Sequence, residues 1–179
     1  MKTRMTITVI TLVCVLTMAV PAFAQYDVEN WHKPFAFLMG NTWQAKMPDG
    51  GSAGGNWEWM FEEKVIHAKG WTKDEAGKIT GRNQTIMTWD PENKRPAFWF
   101  FMPDGSYSTG HMKMTKESEG NTYWDISGRH LLPDGNAYEW YGQWIIDPQK
   151  KIVTIHQMAP DGSGGWKIAN TLNYHVVNP

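Results

Sequence analysis

Residues 96–114 read PAFWFFMPDGSYSTGHMKM, and their reading decides the fold. An apolar run, Phe98 to Phe101, leads into the tripeptide Pro103-Asp104-Gly105, and a mixed polar and apolar run leads out of it. Proline presets φ at the first central position of a turn, aspartate tolerates the second, and glycine takes the φ > 0 position that follows. The stretch is therefore a strand, a tight turn and a strand. The same tripeptide recurs at Pro48-Asp49-Gly50, Pro133-Asp134-Gly135 and Pro160-Asp161-Gly162, so one kind of connection serves four times.

Working outward from these turns, period-two patterning predicts strands at 42–47, 56–61, 65–73, 78–89, 96–102, 106–116, 121–131, 137–146, 151–158 and 165–177. Trp57, Trp59 and Phe61 oppose Asn56 and Glu58. Tyr138, Trp140, Trp144 and Ile146 oppose Glu139, Tyr141 and Gln143. In the last run Trp166, Ile168, Leu172, Tyr174 and Val176 oppose Lys167, Thr171, Asn173 and His175. One buried and one wet face per strand is what an antiparallel sheet curled around a core requires.

In an up-and-down meander every odd-to-even connection lies at the same end, so the four repeated turns belong on one rim. The other rim carries charged connections, among them Asp90-Pro91-Glu92-Asn93-Lys94 and Asp147-Pro148-Gln149-Lys150. Residues 26–39 place Val28, Trp31, Phe35 and Leu38 at helical spacing, and Pro34 limits that segment to short helical pieces. It precedes the first strand at the charged rim and is expected to plug that end. The predicted fold is all-β, a closed antiparallel up-and-down barrel of about ten strands with a short N-terminal helical segment. The rim of repeated turns is the expected mouth.

Residues 1–24 carry Lys2 and Arg4, an apolar run and an Ala22-Phe23-Ala24 ending, the pattern of a secretory signal peptide cleaved after Ala24. The expected location is periplasmic or secreted, with residues 25–179 forming one domain and no membrane span in the mature chain. Cys14, the only cysteine, lies in the leader, so the mature domain has none and depends on its core alone. Without Lys2 and Arg4 the basic residues fall from 17 to 15 against 18 acidic ones, a formal charge of −3. No basic stripe appears, which argues against nucleic acid as a partner.

Chemistry-bearing motifs are sparse. There is no H-E-x-x-H. Gly51-Ser52-Ala53-Gly54-Gly55 sits between two strands with no G-K-[ST], and it reads as a flexible hairpin extension rather than a phosphate loop. His32, His67, His111, His130, His156 and His175 are scattered singly, so neither a metal site nor a bound cofactor is expected. The aromatic load is the functional hint, because all 11 tryptophans follow the leader and a ten-stranded barrel is wide enough to hold a ligand. The candidate ligand-binding set is Trp59, Trp99, His111, Trp124, Trp140 and His156, lining a cavity for a small apolar or aromatic molecule. A small cavity enzyme using a histidine and a carboxylate, or an interaction module using the repeated-turn rim, are the alternatives.

The segment FLMGNTW, residues 37–43, resembles the L-x-G-x-W start of calycin-type barrels such as lipocalins. With NWEWMFEEKVI (56–66) and MTWDPENKRPAFWFF (87–101) added, nearly the whole mature chain resembles the bacterial domain-of-unknown-function family 1579. The chain departs from the lipocalin pattern in its Gly40–Trp43 spacing and its lack of mature cysteines. The resemblance implies a closed barrel of about ten strands. It implies no particular activity, and the nitrobindin-like barrels it also brings in would imply a single-histidine haem site at His111 or His156.

Overall fold

The computed structural model describes residues 28–177. The expected leader and its cleavage point after Ala24 lie outside the described residues. A 3-10 helix, Lys33–Leu38, precedes ten strands: β1 (Thr42–Lys46), β2 (Ser52–Met60), β3 (Val65–Lys73), β4 (Ile79–Asp90), β5 (Arg95–Phe101), β6 (Tyr107–Ser118), β7 (Asn121–Leu131), β8 (Ala137–Asp147), β9 (Ile152–Pro160) and β10 (Trp166–Val177). Each strand pairs antiparallel with its sequence neighbours, and β1 pairs with β10 to close the barrel.

The repeated turns share one rim, as the meander requires, and their shared sequence gives a shared geometry in three of the four. In each of those three the glycine N–H donates back to the residue before the proline: Gly50 to Met47, Gly105 to Met102 and Gly135 to Leu132. Each glycine takes positive φ, 85°, 87° and 87°. The aspartates cap the turns from the side: Oδ1 of Asp49, Asp104 and Asp134 accepts from the N–H two residues on, at 3.0, 2.9 and 2.9 Å. Asp74 and Gly77 close the β3–β4 connection in the same way without proline. The fourth copy differs, because Pro160 still belongs to β9 and Asp161 bonds across to Gly165 in a longer loop.

The opposite end is plugged. Pro34 sits in the first turn of the 3-10 helix, where its missing N–H costs nothing. Trp31, Phe35 and Leu38 are fully buried, while Val28 is exposed. Trp43 Nε1 donates to Leu38 O at 2.9 Å, tying the helix end to β1, and Gly40 (φ 72°) turns the chain so that its N–H meets Trp57 O. Phe35 packs against Trp124 at 5.1 Å between ring centres. The aromatic core is therefore concentrated at the charged end.

Two departures from the predicted strands bear on the site. The glycine-rich 51–55 segment is wall rather than extension: β2 begins at Ser52 and pairs through Gly54 and Gly55 with both β1 and β3. A β-bulge between Ile168 and Asn170 breaks the alternation of β10, so Leu172 and Tyr174 keep the inner face while Trp166 and Ile168 are exposed. Beyond Gly142↔Gln157, β8 and β9 are no longer paired, and β1 pairs with β10 only from Gln44↔His175 to Thr42↔Val177. The outer half of the β9–β10 hairpin thus stands as a two-stranded arm beside the mouth, with Trp166 against Tyr141 at 5.8 Å.

Candidate functional site

The site is the barrel interior above the plug, a cavity of about 520 Å³. Its floor is built by Leu38 from the 3-10 helix with Trp43, Trp57 and Trp144. Trp57 and Trp144 meet edge to face at 5.9 Å, bringing β2 and β8 together across the barrel. The cavity reaches Tyr141, Gly142 and Gln157, the residues at the fork where β8 and β9 part.

Glycine makes the room. Gly55, Gly70 and Gly142 line the cavity, and Gly142 sits between the inward Trp140 and Trp144 of β8. Asn83 lies against Gly70 in the space a side chain there would take. The cross-strand row Met87, Phe98, Gly110, Gly128, Trp140 shows the principle most fully. The two glycines leave a trough across which Phe98 and Trp140 meet, their ring centres 5.4 Å apart. A Cβ on Gly110 would sit 2.8 Å from Phe98 Cζ and 2.1 Å from Ser127 O, so the trough admits nothing larger than glycine there.

Polar side chains at the cavity include Asn83, Thr85, Ser108, Gln157 and Tyr174, with Tyr141 and His156 at the fork. Ser108 lines the cavity and bonds to buried His130, Oγ to Nδ1 at 2.8 Å. The Asp104 carboxylate uses Oδ1 on Ser106, and no hydrogen bond from His130 to a carboxylate is present among the described residues, unlike a hydrolytic triad. Tyr174 reaches in from β10, and burial raises its phenol above the ordinary value. At the fork, burial and then the Asp125 carboxylate push Tyr141 up to about 12. Trp140 Nε1 is buried and has no hydrogen-bond partner. No lysine, arginine, aspartate or glutamate lines the cavity, and no three His, Cys, Asp or Glu converge as metal ligands among the described residues.

The sequence-derived set divides three ways. Trp140 lines the cavity. Trp59 and Trp124 face inward but lie in the plug, against His32 at 5.5 Å and Phe35 at 5.1 Å, and they do not line the cavity. Trp99 and His111 need correcting, because both occupy outer rows. Trp99 shares its row with Ile86, Thr109 and the exposed ion pair Arg129–Glu139, at 3.9 Å. His111 Nε2 lies 2.8 Å from Asp90 Oδ2 at the charged rim, where Asn93 and then His111 hold the Asp90 carboxyl far below its ordinary value. His156 borders the cavity at the fork, but its row holds Lys113, Asp125, Gln143 and Thr171, and its Nδ1 lies 2.9 Å from Thr171 Oγ1. Neither His111 nor His156 thus presents a free ring to the interior.

Sequence reasoning missed His130, Ser108 and the glycine trough. Only the spacing of Gly110 and Gly128 against aromatic positions in neighbouring strands signalled the trough, and it appears only once the strands are in register. Compared with known proteins, the chain matches no family model and no curated sequence. The fold and site define a closed ten-stranded antiparallel barrel around a half-filled, aromatic-floored interior.

Proposed function

We propose that the protein is an exported binder of a small apolar or aromatic molecule, held in the barrel interior. The observation that carries this reading is the cavity: about 520 Å³ of space, floored by tryptophans and walled largely by apolar atoms, in the size range of drug-sized ligands. Its entrance fits the same reading. Phe101, Met102, Tyr107, Tyr138, Trp166 and Ile168 are exposed toward the repeated-turn end, giving an apolar ligand a favourable approach. Export is proposed from the leader pattern in residues 1–24. The calycin resemblance supports the reading at the level of architecture only.

The test is a tryptophan-fluorescence titration of the purified protein against lipids, haem and flat aromatic compounds, paired with thermal shift. Saturable quenching with a rise in Tm for at least one apolar class is the expected result. Flat responses across all three classes would sink the reading. The enzyme alternative draws only on the Ser108–His130 pair, which lacks an orienting acid, and so it stands second.

A further inference from the structure

We propose that the cavity takes an uncharged amphipathic molecule, its apolar body seated on the tryptophan floor and a hydroxyl, amide or ester end held at the mouth by Asn83 and Thr85. The proposal rests on the ligand-binding reading and adds the ligand's polarity and its orientation. Its starting point is β4, whose inward positions read, from the repeated-turn rim toward the plug, Asn83, Thr85, Met87 and Trp89. The register fixes that face. Thr85 pairs with buried Ala68, and Met87 with buried Ile66 and Phe98, while Gln84 reaches His67 on the outer face at 3.0 Å. Asn83 lies one residue beyond Gln84↔Phe101, the last β4–β5 pair, and so stands at the mouth.

The other polar side chains around the upper cavity are engaged within the fold. Thr72 meets Thr80, Ser108 meets His130, His156 meets Thr171, Gln157 accepts from Asn170, and Tyr141 has Asp125. Tyr174 lies deeper, toward the plug end of β10. Asn83 and Thr85 line the cavity with no side-chain hydrogen bond among the described residues, yet both are only half-buried and neither holds an enclosed, unpaired atom. An inward side chain of a barrel meets solvent only through the interior, so this amide and this hydroxyl are open to whatever fills it. Each can donate and accept, which suits a neutral polar end. A pure hydrocarbon is disfavoured, because it would strip water from both groups and return no hydrogen bond. A charged end is disfavoured as well, since no lysine, arginine, aspartate or glutamate lines the cavity to compensate it. Lys73 and Asp125 touch lining residues but are engaged, Lys73 over the Trp71 ring at 4.3 Å and Asp125 with Tyr141 and Gln143. Below the pair the lining turns apolar, with Met87, Phe98, Trp57 and Trp144, so the body points down and the polar end up.

The test is isothermal titration calorimetry of the purified protein with four matched probes: naphthalene, naphthylmethanol, naphthoate and naphthylmethylammonium. The alcohol is expected to bind about threefold to tenfold more tightly than the hydrocarbon, the scale of one neutral hydrogen bond, and both ions more weakly than the alcohol. In the Asn83→Leu, Thr85→Val double variant the alcohol and hydrocarbon affinities should converge. Asn83→Asp should turn the preference toward the ammonium probe, a change that a merely structural role would not produce. Isotope-filtered NMR of the wild type reads the orientation, with the carbinol protons in contact with the Asn83 side-chain amide and the ring protons with the indoles of Trp57 and Trp144. This readout and the wild-type affinity ratios keep the proposal testable even where a variant fails to fold. Equal binding of alcohol and hydrocarbon, tightest binding of either ion, or carbinol contacts at the floor would each overturn the neutral-end proposal while leaving a ligand-binding barrel. Failure of all four probes, together with a flat lipid, haem and aromatic panel, would overturn both.

Discussion

Gly110→Ala and Gly142→Ala are the same chemical change at two inward positions of the same barrel, and the structure predicts opposite outcomes. At Gly110 the added Cβ would fall 2.1 Å from Ser127 O and 2.6 Å from Gly128 Cα. Ordinary contact begins near 3.4 Å, so the first shortfall is about 1.3 Å against backbone that cannot swing aside. At Gly142 the closest atom is His156 O at 3.2 Å and the next is Trp140 Cζ3 at 3.8 Å, a shortfall of only about 0.2 Å. Overpacking of a strand wall costs about 1–3 kcal/mol, and the Gly110 case belongs at the upper end. Against that, replacing glycine by alanine in a strand returns roughly 0.5–1 kcal/mol. Gly110→Ala is therefore expected to lose about 2 kcal/mol, a Tm drop of about 4–8 °C for a domain of this size, and Gly142→Ala to stay within about 3 °C of wild type. Differential scanning calorimetry on the two variants decides it. Tm values equal within 2 °C, or a Gly110→Ala protein as stable as wild type, would refute the claim that the trough is sterically closed.

Three further outcomes follow from the rims and the buried pair. The side chains of Asp90, Asp104, Asp134, Asp147 and Asp161 all sit below the ordinary value of 3.8, held by turn N–H groups and by the side chains of Asn93, Ser106, Asn136, Lys150 and Ser163. A depressed folded-state value gives stability that is present above 3.8 and lost as pH falls, so Tm should hold from these groups at pH 5–7 and drop steadily below about pH 4; a level Tm down to pH 2 would count against it. Phe61 is 72% exposed at φ 49°, so Phe61→Gly removes a left-handed strain of about 1–2 kcal/mol while giving up little burial, and urea unfolding should show a stability gain of roughly 1 kcal/mol. Ser108→Ala leaves His130 Nδ1 without its partner in a buried setting and should cost about 1–3 kcal/mol, whereas the Ser108→Ala, His130→Phe double variant should recover part of that; a double variant no better than the single one would show that the hydrogen bond is not the source.

The parts of the fold legible in the sequence were those fixed by local chemistry. The turn residues at 48–50, 103–105 and 133–135 carry their own geometry, and alternation between them counts strands, so the ten-stranded closed meander followed from residues a few positions apart. What alternation cannot supply is which face is inner when both are aromatic. In β5, Phe98 and Phe100 alternate with Trp99 and Phe101, and only pairing with β4 puts Phe98 beside Met87 and turns Trp99 outward. His111 and Asp90 are similarly joined across 21 residues, and Ser108 and His130 across 22, separations at which a single sequence offers no pattern to find. The glycines of 51–55 misread for a related reason. Their composition is that of a flexible loop, yet Gly51 and Gly54 lie so close to Lys73 O and Trp43 O that a side chain would collide with neighbouring backbone.

The aromatic load also takes on a sharper meaning once satisfaction of the indole N–H is considered together with burial. Burial alone does not separate a packing tryptophan from a binding one, since Trp43, Trp124 and Trp140 all have buried nitrogens or rings within one interior. Their N–H groups do separate them. Trp43 bonds the plug and Trp124 bonds its own strand, so each is complete within the fold. Trp140 packs against Phe98 beside two glycines, and its enclosed donor meets no protein acceptor, an arrangement that costs stability where the other two indoles are satisfied.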